Sequence, residues 1–260
     1  MLVDARSGAW LRRYLPAAEP RSRLICLPHA GGSASYFLPV TRALGAETDV
    51  LAVQYPGRQD RRGEPLVATI GELADRIFEV LRPLADLPLV LFGHSMGATA
   101  AFEVAVRLEA AGLRAAALFA SGRRAPSTHR IERVHTLDDD GLLADLRKLG
   151  GTDLAVLDGD PELRQMVLPA IRSDYRAAET YRWVPGPPLT CPVIALRGTE
   201  DPRASEAETL AWQRHTTGGF AMRSFPGGHF FLRDHAVEIN RLIGERLAGV
   251  AARQPVPPVP

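Results

Sequence analysis

The sequence of 260 residues lacks three features that would each assign it to a class of proteins. No apolar run approaches the ~20 residues that a membrane-spanning helix needs, and Ala115–Ala120 is among the longest. The two cysteines, Cys26 and Cys191, are far apart and lack CxxC spacing, which indicates small buried residues in a reducing compartment. The 31 basic and 30 acidic residues leave a net charge of +1, which removes the global electrostatic reason to expect nucleic-acid binding.

The N-terminal residues also lack the basic and then apolar order of a secretory signal. We therefore expect a cytoplasmic monomer that binds neither nucleic acid nor membrane. Lys148 is the single lysine among the 31 basic residues, a bias that the codon usage of a GC-rich genome explains.

Short apolar runs alternate with amphipathic helical stretches along most of the chain. The predicted strands are Leu24–Leu27, Val50–Tyr55, Leu89–Phe92, Ala115–Ser121, Val193–Arg197 and Phe220–Phe225. The predicted helices are Thr69–Leu84, Ala98–Ala111, Ser205–His215 and Asp234–Ala251. Thr69 and Glu72 match a capping box at the start of the first helix, and Gly112 is suited to end the second. This order predicts one α/β domain over residues 1–260, with a mostly parallel central sheet covered by helices on both faces.

Residues from about 125 to 188 break this alternation. They contain no convincing strand, and we predict two helices, Asp138–Leu149 and Pro161–Trp183, on either side of a turn at Gly150 and Gly151. A helical insertion between two strands predicts a lid over the carboxyl edge of the sheet, where ligands of α/β proteins bind. The proline-rich residues 253–260 are expected to form a disordered tail.

The most informative motif runs from Gly93 to Gly97 with Ser95 at its centre, after a predicted strand and before a predicted helix. A nucleophile elbow of the form G-x-S-x-G needs this setting, because the tight turn projects the serine above the sheet edge. The following helix directs its free N–H groups and the positive end of its dipole toward any oxyanion formed there. The alternative is a glycine-rich turn in which serine only caps a helix. The flanking strand and helix favour Ser95 as a nucleophile.

A serine nucleophile needs a base, and α/β-hydrolases order the triad as Ser, then Asp or Glu, then His. His229 follows the predicted strand Phe220–Phe225 in a glycine-supported loop, which is where a base must lie to reach Ser95. The remaining downstream histidines fall at the lid entry, at a helix end or at the start of the last helix: His129, His135, His215 and His235. We therefore predict His229 as the base.

The acid should follow the preceding strand, and Asp201 does so. Pro202 holds Asp201 in an extended conformation, which suits a fixed group that orients an imidazole. Glu200 is expected to point to solvent, and Asp174 lies in the predicted lid helix, so both are weaker alternatives.

An oxyanion hole needs two N–H donors. Met96, the residue after the nucleophile, supplies one of them. The other should come from the loop after an early strand, and Ala30 precedes the glycine pair Gly31-Gly32 in such a loop. Small residues allow the backbone to approach a substrate closely. A plain glycine-rich turn explains Gly31 and Gly32 almost as well.

Five segments distributed along the chain carry a resemblance to a known family. They are Pro28-His-Ala-Gly-Gly-Ser33, Tyr55-Pro-Gly-Arg58, Gly93-His-Ser-Met-Gly97, Gly198-x-x-Asp201 and Gly228-His-Phe-Phe-Leu232. Together they resemble type II thioesterases, which are stand-alone α/β-hydrolases of polyketide and nonribosomal peptide biosynthesis, over about residues 20–250.

This resemblance implies the α/β-hydrolase fold with a helical lid. It implies Ser95 as nucleophile, His229 as base and Asp201 as orienting acid, with Met96 and Ala30 as backbone oxyanion donors. The implied reaction removes stalled or wrong acyl groups from the phosphopantetheine arm of acyl or peptidyl carrier proteins. No metal or redox cofactor is implied.

Other functions share these residues. A carboxylesterase or lipase acting on a small free ester would use the same triad, and an acyltransferase would differ only in its acceptor. A non-catalytic protein that binds an acyl chain or a partner is the third alternative, and the intact set of serine, aspartate and histidine disfavours it.

Two groups of side chains could contact substrate or partner. Arginines in three loops could dock an acidic carrier, or form a solvated surface and ion pairs with Asp60 and Glu64. These arginines are Arg58, Arg61, Arg62, Arg123, Arg124, Arg130 and Arg133.

Lid positions with helical spacing could line an acyl chamber or simply pack on the body. They are Leu142, Leu146, Leu149, Val167, Ile171, Tyr175 and Tyr181.

Overall fold

The computed structural model describes residues 5–44, 48–150, 157 and 159–252. Its centre is a sheet of seven strands in the order β1-β3-β2-β4-β5-β6-β7. The strands are β1 Leu11–Arg12, β2 Ser22–Leu27, β3 Thr48–Val53, β4 Leu89–His94, β5 Ala115–Ser121, β6 Val193–Gly198 and β7 Phe220–Phe225. Only β1 is antiparallel to its neighbour in this sheet; β2 to β7 pair in parallel. The carboxyl ends of six strands therefore lie along one edge.

The inner strands are buried on both faces because their side chains alternate between two apolar layers. On β2, Ile25 and Leu27 belong to one layer, whereas Leu24 and Cys26 belong to the other. Both cysteines are free and buried, as predicted. The sheet therefore has a core on each side.

Helices cover both layers. The helices are α1 Ala5–Trp10, α2 Leu38–Ala43, α3 Ile70–Leu81, α4 Met96–Ala110, α5 Asp139–Leu149, α6 Pro161–Thr180, α7 Glu206–Leu210 and α8 Ala236–Ala251. Helices α3 and α4 contribute to one core and α8 to the other. No helix in the described ranges is long and apolar enough to cross a membrane.

The predicted elements are present with shifted boundaries. The predicted strand Val50–Tyr55 is β3, which begins at Thr48 and ends at Val53. The predicted helix Ser205–His215 divides into α7 and a 3₁₀ helix, Ala211–His215. Thr69 caps α3, with its side chain accepting from the Glu72 N–H, but the Glu72 side chain pairs with Arg76 instead of completing the predicted capping box. Short elements such as β1 were not predicted, because two residues are too few for a periodic pattern to be recognised.

The segment between β5 and β6 is helical, as predicted. Helix α5 begins after the cap Asp138 and ends at Gly150, which has a positive φ of 73°. Helix α6 ends at Thr180, three residues before the predicted end. The two helices share a small apolar core: Leu142, Leu143, Leu146, Leu157, Leu168, Ile171 and Tyr175. Gly151 and the predicted tail at 253–260 lie outside the described residues.

Candidate active site

Ser95 lies directly after the central strand β4, in a backbone conformation that side-chain-bearing residues rarely adopt. Its φ of 56° and ψ of −120° turn the chain sharply from β4 into α4. A Cβ at Gly93 would overlap the Gly97 carbonyl, and a Cβ at Gly97 would overlap the Leu27 carbonyl. Glycine is therefore required on both sides of the serine because backbone segments touch there.

Asp201, His229 and Ser95 form a hydrogen-bonded chain across the carboxyl edge of the sheet. The Nδ1 atom of His229 lies 2.9 and 3.0 Å from the two carboxylate oxygens of Asp201. Its Nε2 atom lies 2.9 Å from the Ser95 Oγ. An ionised carboxylate can only accept, so the imidazole proton belongs on Nδ1 and Nε2 can accept from the serine hydroxyl. The structure thus brings together the three residues that the sequence predicts as a triad.

The Asp201 carboxyl group is held in place by neighbouring backbone. The Arg203 N–H donates to Asp201 Oδ1 at 2.8 Å, and the Asp201 side chain has no exposed surface. Strands β6 and β7 are adjacent, so the loops that carry Asp201 and His229 leave the sheet side by side. The spacing between two parallel strand ends therefore sets the contact between Asp201 and His229.

The other sequence candidates lie elsewhere or have other partners. Glu200 is exposed and His129 lies at the surface, whereas His135 pairs with Glu179 and His235 bonds the Pro226 carbonyl. His215 lies 2.8 Å from the Ser127 hydroxyl. Asp174 is buried and paired with Arg58.

The two predicted oxyanion donors face the same pocket as Ser95 and His229. Met96 is the first residue of α4, and Ala30 lies in the loop after β2. Among the described residues, neither backbone N–H has a hydrogen-bond partner. Two hydrogen bonds hold the loop that carries Ala30. Within the loop, the Gly32 N–H donates to the His29 carbonyl, and from outside it Tyr55 Oη donates to the Pro28 carbonyl.

Sequence reasoning missed two buried histidines beside His229. The ring centroid of His94 lies 5.1 Å from that of His229, and His29 lies 5.9 Å from His94. Burial lowers the pKa of His94 well below its usual range, and burial lowers the pKa of His29 to about 3. Both rings are therefore neutral at pH 7 and lie uncharged beside the His229 ring.

The pocket above Ser95 has a volume of about 580 Å³, including its open mouth. The sheet edge forms its floor, and the helical insertion supplies the remaining walls through Leu146, Leu149, Tyr175, Ala178 and Glu179. Three of the predicted acyl-chamber positions thus line it. Others pack instead: Leu142 lies inside the insertion's own core, and Tyr181 donates to Glu103 on α4.

A network of charges joins the acid loop to the insertion. Glu132 accepts from Arg124 and Arg203, and Arg203 also pairs with Asp145 on α5. Burial raises the pKa of Glu132, but the two arginines more than offset this and lower it to about 2. Tyr175 on α6 donates to the same Asp145 at 3.1 Å. No sequence pattern indicated this network.

Most of the arginines that could have docked a carrier are internal. Arg58, Arg61, Arg123 and Arg124 are at least nine-tenths buried as side chains or residues, which removes them from any docking surface. Arg61 pairs with Glu64, as the alternative predicted. At the surface, Arg130 pairs with Glu208, while Arg62 and Arg133 are exposed.

Comparisons with known proteins identify a family and several similar sequences. A thioesterase domain family model matches residues 22–247. The chain is 50% identical over 247 residues to the thioesterase PikA5 of Streptomyces venezuelae, covering 94% of this chain and 88% of that protein. It is 51% identical over 245 residues to a probable cadicidin biosynthesis thioesterase of Streptomyces griseus, covering 94% of this chain and 68% of that protein.

Solved structures give the same result. The type II thioesterase BorB from the borrelidin biosynthetic cluster superposes with a TM-score of 0.84 at 51% identity, covering 92% of this chain and 97% of that one. YbtT, a type II thioesterase of the yersiniabactin pathway, has a TM-score of 0.84 at 30% identity, covering 93% and 99%. The fold prediction of an α/β-hydrolase is confirmed. The chain therefore belongs to the thioesterase family, as a type II thioesterase of polyketide and nonribosomal peptide pathways that hydrolyses thioesters.

Proposed function

We propose that this enzyme removes stalled or wrong acyl groups from the phosphopantetheine arm of acyl or peptidyl carrier proteins. In this proposal Ser95 is the nucleophile, His229 the general base and Asp201 the residue that orients the imidazole. The Met96 and Ala30 N–H groups stabilise the oxyanion. The observation that carries the proposal is the hydrogen-bonded chain from Asp201 through His229 to Ser95 at a strained turn after β4.

The first half of the reaction transfers the acyl group to the enzyme. Ser95 Oγ attacks the thioester carbonyl carbon while its proton moves to His229 Nε2. The carbonyl π electrons move to oxygen, and the two N–H donors stabilise that negative charge. When the tetrahedral intermediate collapses, the C–S bond breaks and the phosphopantetheine thiol leaves with the proton from His229.

The second half releases the acid. His229 Nε2 takes a proton from water, whose oxygen attacks the acyl-serine carbonyl. Collapse breaks the C–O bond to Ser95, which regains the proton from the imidazolium, and a free carboxylic acid departs. Asp201 stays ionised and stabilises the imidazolium in both halves.

The neutral rings of His29 and His94 support this cycle. A positive charge on either ring would repel the imidazolium that forms on His229, and burial keeps both uncharged near neutral pH. Their apolar contacts, including the ring of Phe230 at 4.8 Å from His29, also limit water on that side of the base.

The experiment compares three substrates that share one acyl group: a carrier-bound thioester, a small thioester and a small free ester. We expect the largest kcat/KM for the carrier-bound thioester, and no turnover of any substrate by the Ser95→Ala variant. Equal rates on the carrier-bound and small thioesters would refute a carrier role, and a preference for the ester would support an esterase. Repeating the comparison at high salt tests whether charge contributes to carrier docking. The cytoplasmic, monomeric state stays a prediction.

A further inference from the structure

A buried carboxylate connects the insertion to the loop that carries Ala30. Asp174 lies on α6 and is 2% exposed. Its Oδ2 atom accepts a hydrogen bond of 2.8 Å from the Gly31 N–H, so a helix of the insertion holds a peptide group 143 residues earlier in the chain. That peptide group joins Gly31 to Ala30. Its orientation fixes the ψ angle of Ala30 and so restrains the adjoining His29–Ala30 peptide group, whose N–H is the predicted oxyanion donor.

Arg58 holds this carboxylate in place. Its guanidinium donates to both oxygens of Asp174, at 2.6 and 2.9 Å, and also to the Gly32 carbonyl at 3.1 Å. Burial lowers the pKa of Arg58, but the charge and hydrogen bonds of Asp174 more than offset this and raise it above its usual value. The Arg58 guanidinium is thus charged, and its bidentate hydrogen bonds fix the direction in which the Asp174 carboxyl group points.

The loop needs such a restraint because of its glycines. Gly31 has a φ of 76°, and a Gly-Gly sequence can adopt many backbone conformations of similar energy. A Cβ at Gly31 would lie 2.9 Å from Ile171 Cγ1, so α6 also packs closely on the loop. Glycine permits this close approach and leaves the peptide orientation to be fixed by other groups.

We propose that Asp174, held by Arg58, is a positioning residue that fixes the Gly31 peptide group and so keeps the Ala30 N–H directed into the pocket as the second oxyanion donor. The inference rests on the proposed function, in which Ala30 is that donor. It gives the Tyr55-Pro-Gly-Arg58 motif an internal task. It also makes the seating of α6 and the completion of the oxyanion hole a single event.

The test uses the full chain and two small thioesters that differ only in the length of the acyl group. Asp174→Ala should lower kcat by about 10²-fold at both lengths, because an oxyanion donor acts mainly in the transition state. KM should change by less than about threefold. A residue that only shaped the acyl chamber would instead raise KM, more for the longer acyl group, and leave kcat unchanged.

Two further variants separate positioning from folding. Arg58→Met with Asp174→Leu replaces the buried ion pair by apolar side chains, a change that often leaves stability intact, and should show the same loss of kcat. Asp174→Asn keeps an oxygen that can accept from Gly31 and should restore kcat to within about tenfold of wild type. Thermal unfolding of each variant verifies the fold, and the double and Asn variants decide the question if Asp174→Ala does not fold.

A matched control removes a different ion pair of α6. Arg172→Gln removes the pair with Asp139 and the hydrogen bonds to the His135 and Leu137 carbonyls, none of which involves the Ala30 loop, and should keep kcat within about twofold. The proposal is overturned if the folded Asp174→Ala variant or the folded double variant keeps kcat within threefold of wild type, if the loss is confined to KM, or if the Asn and Ala variants lose kcat equally. Hydrolysis that persists in Ser95→Ala would refute the proposed function itself, so the two failures are distinguishable.

Discussion

The two halves of the pocket are held by different forces. At the sheet edge, backbone touches backbone: the Ser95 N–H donates to the Ser121 carbonyl at 2.8 Å, and Gly93 and Gly97 allow chain segments to meet without side chains. The helical insertion packs on the main core through Ala177 and is also joined to this edge by ion pairs, among them Asp174 to Arg58 and Asp145 to Arg203.

This difference predicts a rigid sheet edge and an insertion whose position is easier to change. Backbone contacts depend little on pH or salt, so the sheet edge that carries Ser95 and His229 keeps one geometry. Ion pairs depend on both partners and on burial, so the walls supplied by the insertion can be altered by single charge changes. We expect substitutions at the edge to affect the reaction itself and substitutions in the insertion to affect how the pocket is assembled.

The largest effect is expected at the sheet edge. Ser95→Ala and His229→Ala should each lower kcat/KM by roughly 10⁴–10⁶-fold, because the nucleophile and its base act as one unit. Initial rates on a small thioester measure this loss, and the melting temperature should stay close to wild type. Activity within tenfold of wild type in either variant would contradict the triad.

The next effect tests the backbone contacts directly. Gly97→Ala should lower the free energy of unfolding by about 3 kcal/mol, because the new methyl group would overlap the Leu27 carbonyl. Gly249→Ala is the control: it lies in α8 with nothing within 4 Å of the new Cβ, and should be neutral or stabilising by up to about 1 kcal/mol. Equal denaturation curves for the two variants would show that the Gly97 contact is not required.

The third prediction tests the charges of the insertion. Glu132→Gln should lower the free energy of unfolding by about 2 kcal/mol, because it leaves Arg124 and Arg203 with reduced compensation. Glu72→Gln breaks an exposed pair with Arg76 and should change stability by less than about 0.5 kcal/mol. Urea denaturation measures both, and a Glu132 effect no larger than that of Glu72 would contradict the role of the network.

The smallest effect concerns His215, which lies outside the insertion and contacts it through Ser127 and the Trp183 ring. Burial lowers its pKa to about 4. A histidine whose folded pKa is lowered contributes stability above its unfolded pKa and loses it as pH falls toward the folded value. Between pH 7.5 and 6 this loss is about 1 kcal/mol, and His215→Gln should remove it from the pH dependence of unfolding. An unchanged pH dependence would contradict the assignment.

Much of the fold and of the candidate site could be predicted because the signals are local. The alternation of side chains in β2, the cap at Thr69 and the glycines around Ser95 each depend on residues a few positions apart. His229 and Asp201 could be named because each follows a strand, and parallel strands bring their carboxyl ends to one edge. Boundaries were less certain, as at β3, since burial rather than local preference decides where a strand ends.

The sequence by itself determined the succession of strands and helices and the turn at Ser95. It also determined which residues can reach Ser95, because short-range geometry and the handedness of parallel connections leave few alternatives. Only the tertiary structure decided which charges are buried and with whom they pair. In the sequence, Asp174 is a weak alternative for the acid and Arg58 is a possible surface residue. In the structure, Asp174 accepts from the Gly31 N–H and pairs with Arg58, and both side chains are buried. Pairing and pKa depend on neighbours in space, and a separation of 143 residues leaves no periodic trace of that proximity in the sequence.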